Sequence, residues 1–352
     1  LTRQPRPALA ETPPQPIPRA RVMNLIVRAG RVPNLEPALD EINQLAQCHP
    51  LRALIVHTQS SPPTVGLDAV AAIECAARSG PPRTVCLERI QLTPSATASA
   101  HLSSVVAPLL IPDLPVVLWW LDGLPRPNDP LLDLSGNLIV DSDTLGGDFS
   151  KLGQLVGASG DRVNLRDRAW IALESVRGTL AELFDPAAAR PYQFGITALQ
   201  ITFAANAPAQ PLLLLGWLAS RLNWTATPTA RDGAKANERL QFASRQGPIT
   251  ATLTGRTSPP VLTECNLVKV ELTSVHAGQA ARFTIARQPA GDFRASRSAI
   301  PGLPPVDYPV FLSRPPLVAV LNDLLAFPKE DQGYREALGV AAQLAGRPDL
   351  TP

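Results

Sequence analysis

The sequence predicts an α/β protein, with an N-terminal mixed α/β sheet domain followed by an α+β domain with an antiparallel sheet. Three observations predict it. The chain opens with strand-like, helix-like and strand-like segments, a β-α-β order. Pro115 to Leu121 is an apolar run without polar alternation, which suits a strand buried on both faces. From Arg239 onward, short strand-like runs are separated by Gly- and Pro-containing turns.

The elements follow in order. Residues 1–20 hold six prolines and read as a flexible tail. Val22 to Arg28 is a strand. Leu35 to Cys48 carries apolar residues at helical spacing, and Leu51 to Thr58 is the second strand. Ala69 to Ala77 and Thr84 to Leu92 read as a hairpin around Gly80-Pro81-Pro82. Ser95 to Leu109 is expected to be a helix, and Asn137 to Val140 a strand. Asp148 to Val156 and Asp167 to Phe184 are helices, the second with a stripe of Trp170, Leu173, Val176, Leu180 and Leu183. Gln193 to Ala204 is a strand and Leu212 to Leu222 a helix. Five strands of a β-meander follow between Arg239 and Ile300, and helices at Leu317–Ala326 and Gln332–Leu344 close the chain. The first domain is placed at 21–160 and the second at 161–352, divided in the Gly-rich stretch around Gly153, Gly157 and Gly160.

Length and composition narrow the function classes. At about 150 residues per domain, 352 residues suit two domains. Charged residues are 18 %, against about 25 % in a typical domain, which excludes a highly charged disordered chain. A net charge of +2 argues against a general nucleic-acid binder. Lysine occurs only at Lys151, Lys235, Lys269 and Lys329. The excess of arginine fits either base composition or a role for its planar fork at an interface. The most apolar stretch, Val105 to Leu121, is broken by Pro108, Pro112, Asp113 and Pro115, so no membrane span is expected. With no leader pattern, and four cysteines that are too few for a disulfide scaffold, a cytoplasmic location is expected. The opening at Leu1 rather than Met is expected of a trimmed or partial chain.

Motifs of catalysis are absent from the sequence. It has no G-x-G-x-x-G, no Walker A, no H-E-x-x-H, and no histidine pair at metal spacing among His49, His57, His101 and His276. No catalytic residue, cofactor or metal is therefore expected. One strand ends in Asp141-Ser142-Asp143-Thr144, which suggests a phosphatase that uses Asp141 and Asp143. The threonine spacing of such enzymes is not met, and the plainer reading is that both aspartates cap the following loop. Gly146-Gly147 before a helix suggests an anion site, with Asp148 as N-cap the plainer reading. Cys75 and Cys86 are symmetric about the expected turn and would face each other across a hairpin as a redox pair. Two separate buried thiols is the plainer reading of them.

Several segments together resemble one family. Pro108-Leu-Leu-Ile-Pro-Asp-Leu-Pro-Val-Val-Leu-Trp-Trp120 resembles the signature of the glucose-6-phosphate dehydrogenase assembly proteins, the OpcA family. Cys48-His-Pro-Leu-Arg-Ala-Leu-Ile-Val56, Val85-Cys-Leu-Glu-Arg-Ile90, Leu138-Ile-Val-Asp-Ser142 and Leu213 to Leu222 are similar to its further segments. So are Trp170 with Arg177 and Leu180-Ala-Glu-Leu-Phe-Asp185. The resemblance implies a non-catalytic effector that binds glucose-6-phosphate dehydrogenase and promotes its assembly or allosteric activation in the oxidative pentose phosphate pathway. It also implies cyanobacterial or actinobacterial relatives, and thioredoxin control in the cyanobacterial ones. The sequence departs there, since it has no closely spaced cysteine pair. Asp122-Gly123 follows the Trp119-Trp120 strand at the edge where open α/β sheets bind ligands. On a strand the two rings point to opposite faces, and the plainer reading is that at least one is core. Trp120, Asp122 and Arg126 are the expected partner interface.

Overall fold

A computed structural model of the protein describes residues 21–345, apart from 31, 59–62, 64, 78–83, 146–148, 160–161, 206, 228–236, 258–265, 290, 292, 299, 313 and 327–330. The Gly146-Gly147-Asp148 segment and the expected hairpin turn lie outside the described residues.

Strand β1 (Met23–Gly30) is apolar toward both faces. Leu25 and Val27 enter one core cluster and Ile26 the other. Helix α1 (Glu36–Cys48) turns Ile42, Leu45 and Ala46 inward and returns the chain to β2 (Leu51–His57), parallel to β1. β3 (Leu67–Ala77) and β4 (Thr84–Pro94) form the expected antiparallel pair, and β4 lies parallel to β2. The helix expected over Ser95–Leu109 is broken. Only α2 (Leu102–Val106) is α-helical, between two 3₁₀ turns. The Ser95 hydroxyl accepts from the Ala98 amide in the first turn, and Pro108 cannot donate in the last.

β5 (Val116–Trp120) crosses to the other side of β1. β6 (Asn137–Val140), α3 (Phe149–Ser159) and β7 (Asn164–Asp167) continue outward, all strands parallel. The order β3-β4-β2-β1-β5-β6-β7 is the doubly wound 3-2-1-4-5-6 arrangement with β3 added at one edge. Its topological switch point lies between β1 and β5. The sheet extends past residue 160, because β7 completes it.

The single helix expected over Asp167–Phe184 is two, α4 (Arg168–Ala172) and α5 (Glu174–Phe184), which meet at Leu173. The predicted stripe is buried throughout. The second sheet comprises β8 (Ile196–Ala204), β9 (Thr225–Ala226), β10 (Asn237–Ser244), β11 (Gly247–Arg256), β12 (Leu267–His276), β13 (Gln279–Arg287), β14 (Phe293–Arg297) and β15 (Val306–Val310). It is not the simple meander expected. β8 inserts between β11 and β12, parallel to β11, because its apolar side (Leu199, Ile201, Phe203) takes the centre of the sheet.

The inner face of this sheet buries Leu199, Ile201, Val270, Leu272, Phe283 and Ile285. Its opposite face runs in polar cross-strand rows, such as Arg239–Thr252–Gln200–Glu271–Thr284–Ser296. Most of these are partly or fully exposed. Glu271 is buried, held by Lys269 and Arg282.

Helix α6 (Ala209–Leu222) links β8 to β9. α7 (Leu317–Ala326) and α8 (Gln332–Ala345) return to the first region: α7 packs on α1, and α8 on α6 and α3. Gly216 sets the α6–α8 spacing, since a Cβ there would lie 2.3 Å from the Ala337 carbonyl oxygen.

Candidate functional site

In doubly wound sheets, function sits at the C-terminal edge of the strands. Two stretches of that edge hold the residues singled out above.

The first is the switch point. Trp119 and Trp120 point to opposite faces and enter different core clusters, as strand alternation requires. Trp120 is 8 % exposed, and its Nε1 donates to the Asp122 carbonyl. Its ring is core, and its polar edge closes the turn after β5. Asp122 and Arg126 are exposed. The Asp122 carboxylate lies over Gly30, whose φ of +56° suits glycine. The Arg28 guanidinium lies 5.9 Å from the Trp120 ring and faces Asp129 and Asp122. Burial pulls its pKa down against those two carboxylates.

The second stretch joins β6 and β7 to the later helices. The Asp141 carboxylate pairs with Arg314 and accepts the Asp143 amide, while its carbonyl accepts from the Thr144 hydroxyl at 2.7 Å. Asp143 accepts from Gln210 Nε2 at 2.8 Å and Asn266 Nδ2 at 3.1 Å. It also faces the Ala209 and Gln210 amides, the open N-terminus of α6. Burial pushes its pKa up, and these donors only partly oppose that.

Asp167 caps α4 by accepting from the Ala169 amide, and it also takes the Ser142 amide and the Tyr334 hydroxyl. Full burial raises its pKa to about 6, and raises that of Tyr334 as well. Trp170 Nε1 donates to Asp331, which caps α8 at the Tyr334 amide. Arg177 lies 3.5 Å from the Trp170 ring, and burial lowers its pKa to about 10.

Asp141 turns the chain that follows it, accepting from the Asp143 amide and the Thr144 hydroxyl, whereas Asp143 ties this turn to Gln210 and Asn266. Sequence reasoning missed Arg314, Gln210, Asn266, Asp167 and Tyr334. Asp167 alone carries a local signal, as an Asp at the start of a helix; the others act across long sequence separations. Among the described residues, no group of three or more His, Cys, Asp or Glu could hold a metal ion. No helix among them is long and apolar enough to cross a membrane.

The cysteine pairing that hairpin symmetry allows is present, against the plainer reading. Cys75 faces Cys86 in the β3–β4 register, with Cα atoms 4.1 Å apart, and the two form a disulfide. The reading as separate thiols is overturned. Cys75 is exposed and Cys86 buried.

Residues 42–156 match the family described as glucose-6-phosphate dehydrogenase subunit N-terminal domain, and residues 163–338 match its C-terminal domain. This chain belongs to the OpcA family. The OxPP cycle protein OpcA of Nostoc punctiforme is 34 % identical over 180 residues, covering 49 % of this chain and 38 % of that protein. The Synechocystis protein of the same description is 31 % identical over 177 residues, covering 49 % and 37 %. The chain thus spans about two fifths of the length of the curated relatives it matches.

Among solved structures, glucose-6-phosphate 1-dehydrogenase from Mycobacterium avium is similar at TM-score 0.53 and 11 % identity, covering 94 % of this chain and 93 % of that one. A mutant of KijD10, a 3-ketoreductase from Actinomadura kijaniata in complex with TDP-benzene and NADP, is similar at TM-score 0.51 and 12 % identity, covering 92 % and 95 %. At these identities the likeness is one of fold, a Rossmann-like α/β architecture.

The OpcA signature has a structural role. Asn24, fully buried on β1, both donates to and accepts from the Ile111 backbone, and its amide donates to Pro115. Arg52 donates to the Leu109 carbonyl. These bonds clamp the loop that feeds β5, where Asp113 takes a φ of 63°.

Proposed function

We propose that this chain is a non-catalytic effector of glucose-6-phosphate dehydrogenase in the oxidative pentose phosphate pathway, acting in the cytoplasm. It binds the dehydrogenase and promotes its assembly or allosteric activation. The observation that carries the reading is the family match in both regions of the chain. The engagement of Asp141, Asp143 and Asp167 supports it, because these carboxylates hold elements of the fold together. Such an effector works by binding one state of the dehydrogenase better than another. Asp122 and Arg126 are exposed and contribute to the contact.

A sugar-phosphate-binding module or a phosphatase-like enzyme is the competing reading. A nucleophilic carboxylate needs a free oxygen in its ionised form. Asp141 is ion-paired with Arg314, and Asp143 is committed through Oδ2 to Gln210 and Asn266. The Cys75–Cys86 disulfide is the group on which a thioredoxin-class dithiol would act. Exchange at the exposed Cys75 sulfur leaves two thiols here and a disulfide on the reductant.

The test is a titration of this chain into its cognate dehydrogenase, following NADPH formation across substrate concentrations. A saturable fall in apparent KM or rise in kcat is expected. An unchanged rate, under reducing and oxidising conditions alike, refutes activation.

A further inference from the structure

A doubly wound 3-2-1-4-5-6 sheet ordinarily takes a dinucleotide at its switch point. The pyrophosphate rests on the glycine turn after the first strand and on the N-terminus of the first helix. The similar 3-ketoreductase is a complex with NADP. We infer that the β1/β5 crevice of this chain takes neither NAD nor NADP, because the chain's own groups occupy or disable the features that would hold one.

The turn comes first. Gly30-Arg-Val-Pro-Asn34 offers one glycine where the fingerprint needs three. The open side of Gly30 is taken: a Cβ built there would lie 2.4 Å from Asp122 Oδ2. A carboxylate therefore sits where a pyrophosphate would have to approach the backbone.

The helix N-terminus comes second. An anion there needs free amides and a positive dipole end. The Glu36 amide donates to Asn34 Oδ1 at 3.0 Å, Pro37 has no amide hydrogen, and the Leu39 amide donates to the Leu35 carbonyl at 2.9 Å. Glu36 adds a negative charge in the first turn.

The ribose end completes the case. Arg28 lies 5.9 Å from the Trp120 ring, with its Nη1 buried and making no hydrogen bond among the described residues, and is not one of the groups that exclude a cofactor. In dinucleotide sites, an acidic residue near the end of the second strand holds the ribose. Here β2 ends at His57, and Thr58 follows it. His57 Nε2 lies 3.0 Å from the Val32 carbonyl, and the Thr58 amide donates to the Gly30 carbonyl at 2.7 Å. The end of β2 is thus tied to the loop that a cofactor would need.

The test uses the full chain alone, so it does not depend on whether the dehydrogenase is bound. NADP⁺, NADPH and NAD⁺ are each titrated calorimetrically to about 1 mM, a range in which weak millimolar sites still register. Amide exchange is followed in parallel over residues 30–38. We expect no saturable heat and unchanged exchange, in the native chain and in Asp122→Ala, in which the Glu36 and Leu39 amides keep their acceptors. Saturable binding with slowed exchange over residues 30–38, in either protein, would overturn the inference.

Discussion

The central strands of the seven-stranded sheet are covered on both faces, while β3 at its margin exposes Val70 and Ile73, and its C-terminal edge at β6 and β7 is filled by the chain's own side chains. The eight-stranded sheet buries one face and presents the other as partly exposed polar rows. In dehydrogenase-like folds the first of these edges is where ligands bind. Here the same edge carries Asp141–Arg314, Asp143–Gln210 and Asp167–Tyr334, all contacts between distant parts of the chain. The difference teaches that the fold has been kept while its usual working edge has become an internal fastening. Function of the kind proposed then falls to exposed surface.

If the edge is a fastening, breaking it costs more than altering the open face. Arg314→Ala leaves the largely buried Asp141 without its cation and should lower unfolding free energy by about 3–5 kcal/mol, read by urea denaturation. A loss below about 1 kcal/mol would place the pair among ordinary surface contacts.

Asp167 sharpens the comparison through pH. Its folded pKa, about 6, lies above the ordinary 3.8, so the folded chain holds the proton more tightly than the unfolded one. The resulting stability is present below about pH 4 and is lost as pH rises through about 6. Asp167→Asn removes this dependence. The variant should therefore gain on the native protein by about 3 kcal/mol between pH 4 and pH 7, since each tenfold difference in proton affinity is worth about 1.4 kcal/mol. A constant difference across that range would contradict the burial of this carboxylate.

The sheet margin should be intermediate. Reduction of Cys75–Cys86, or the double change to serine, reopens a short loop and should cost about 2 kcal/mol. The open face should matter least. Thr252→Ala and Arg239→Ala are expected to stay within about 0.5 kcal/mol of the native protein by the same denaturation measurement. A cost above about 1 kcal/mol there would mean that the face is not open.

The legible parts of the sequence are those governed by local apolar pattern. Asn137–Val140 and Leu317–Ala326 stand where the pattern puts them, and the cysteine pairing follows from hairpin symmetry. β7 escapes such a reading because Asn-Leu-Arg-Asp is polar. Arg166 is buried only through partners such as Asp323, and Asp167 through Ser142 and Tyr334. β15 escapes it because Pro309 interrupts the strand, a tolerated break on an edge. Asp141-Ser-Asp143 reads alike as a phosphatase strand end and as a loop cap. Arg314, Gln210 and Asn266 decide between them, and all three are remote in sequence. Burial of Trp120 is legible in the unbroken apolar run of its strand, and the fold adds only that its Nε1 closes the turn at Asp122.

The most direct test of the central claim is sedimentation velocity of this chain mixed with its cognate glucose-6-phosphate dehydrogenase at about 10 μM each, well above a micromolar dissociation constant. The account predicts that this chain moves into a faster boundary with the dehydrogenase at a fixed stoichiometry. Two boundaries that sediment independently would contradict it.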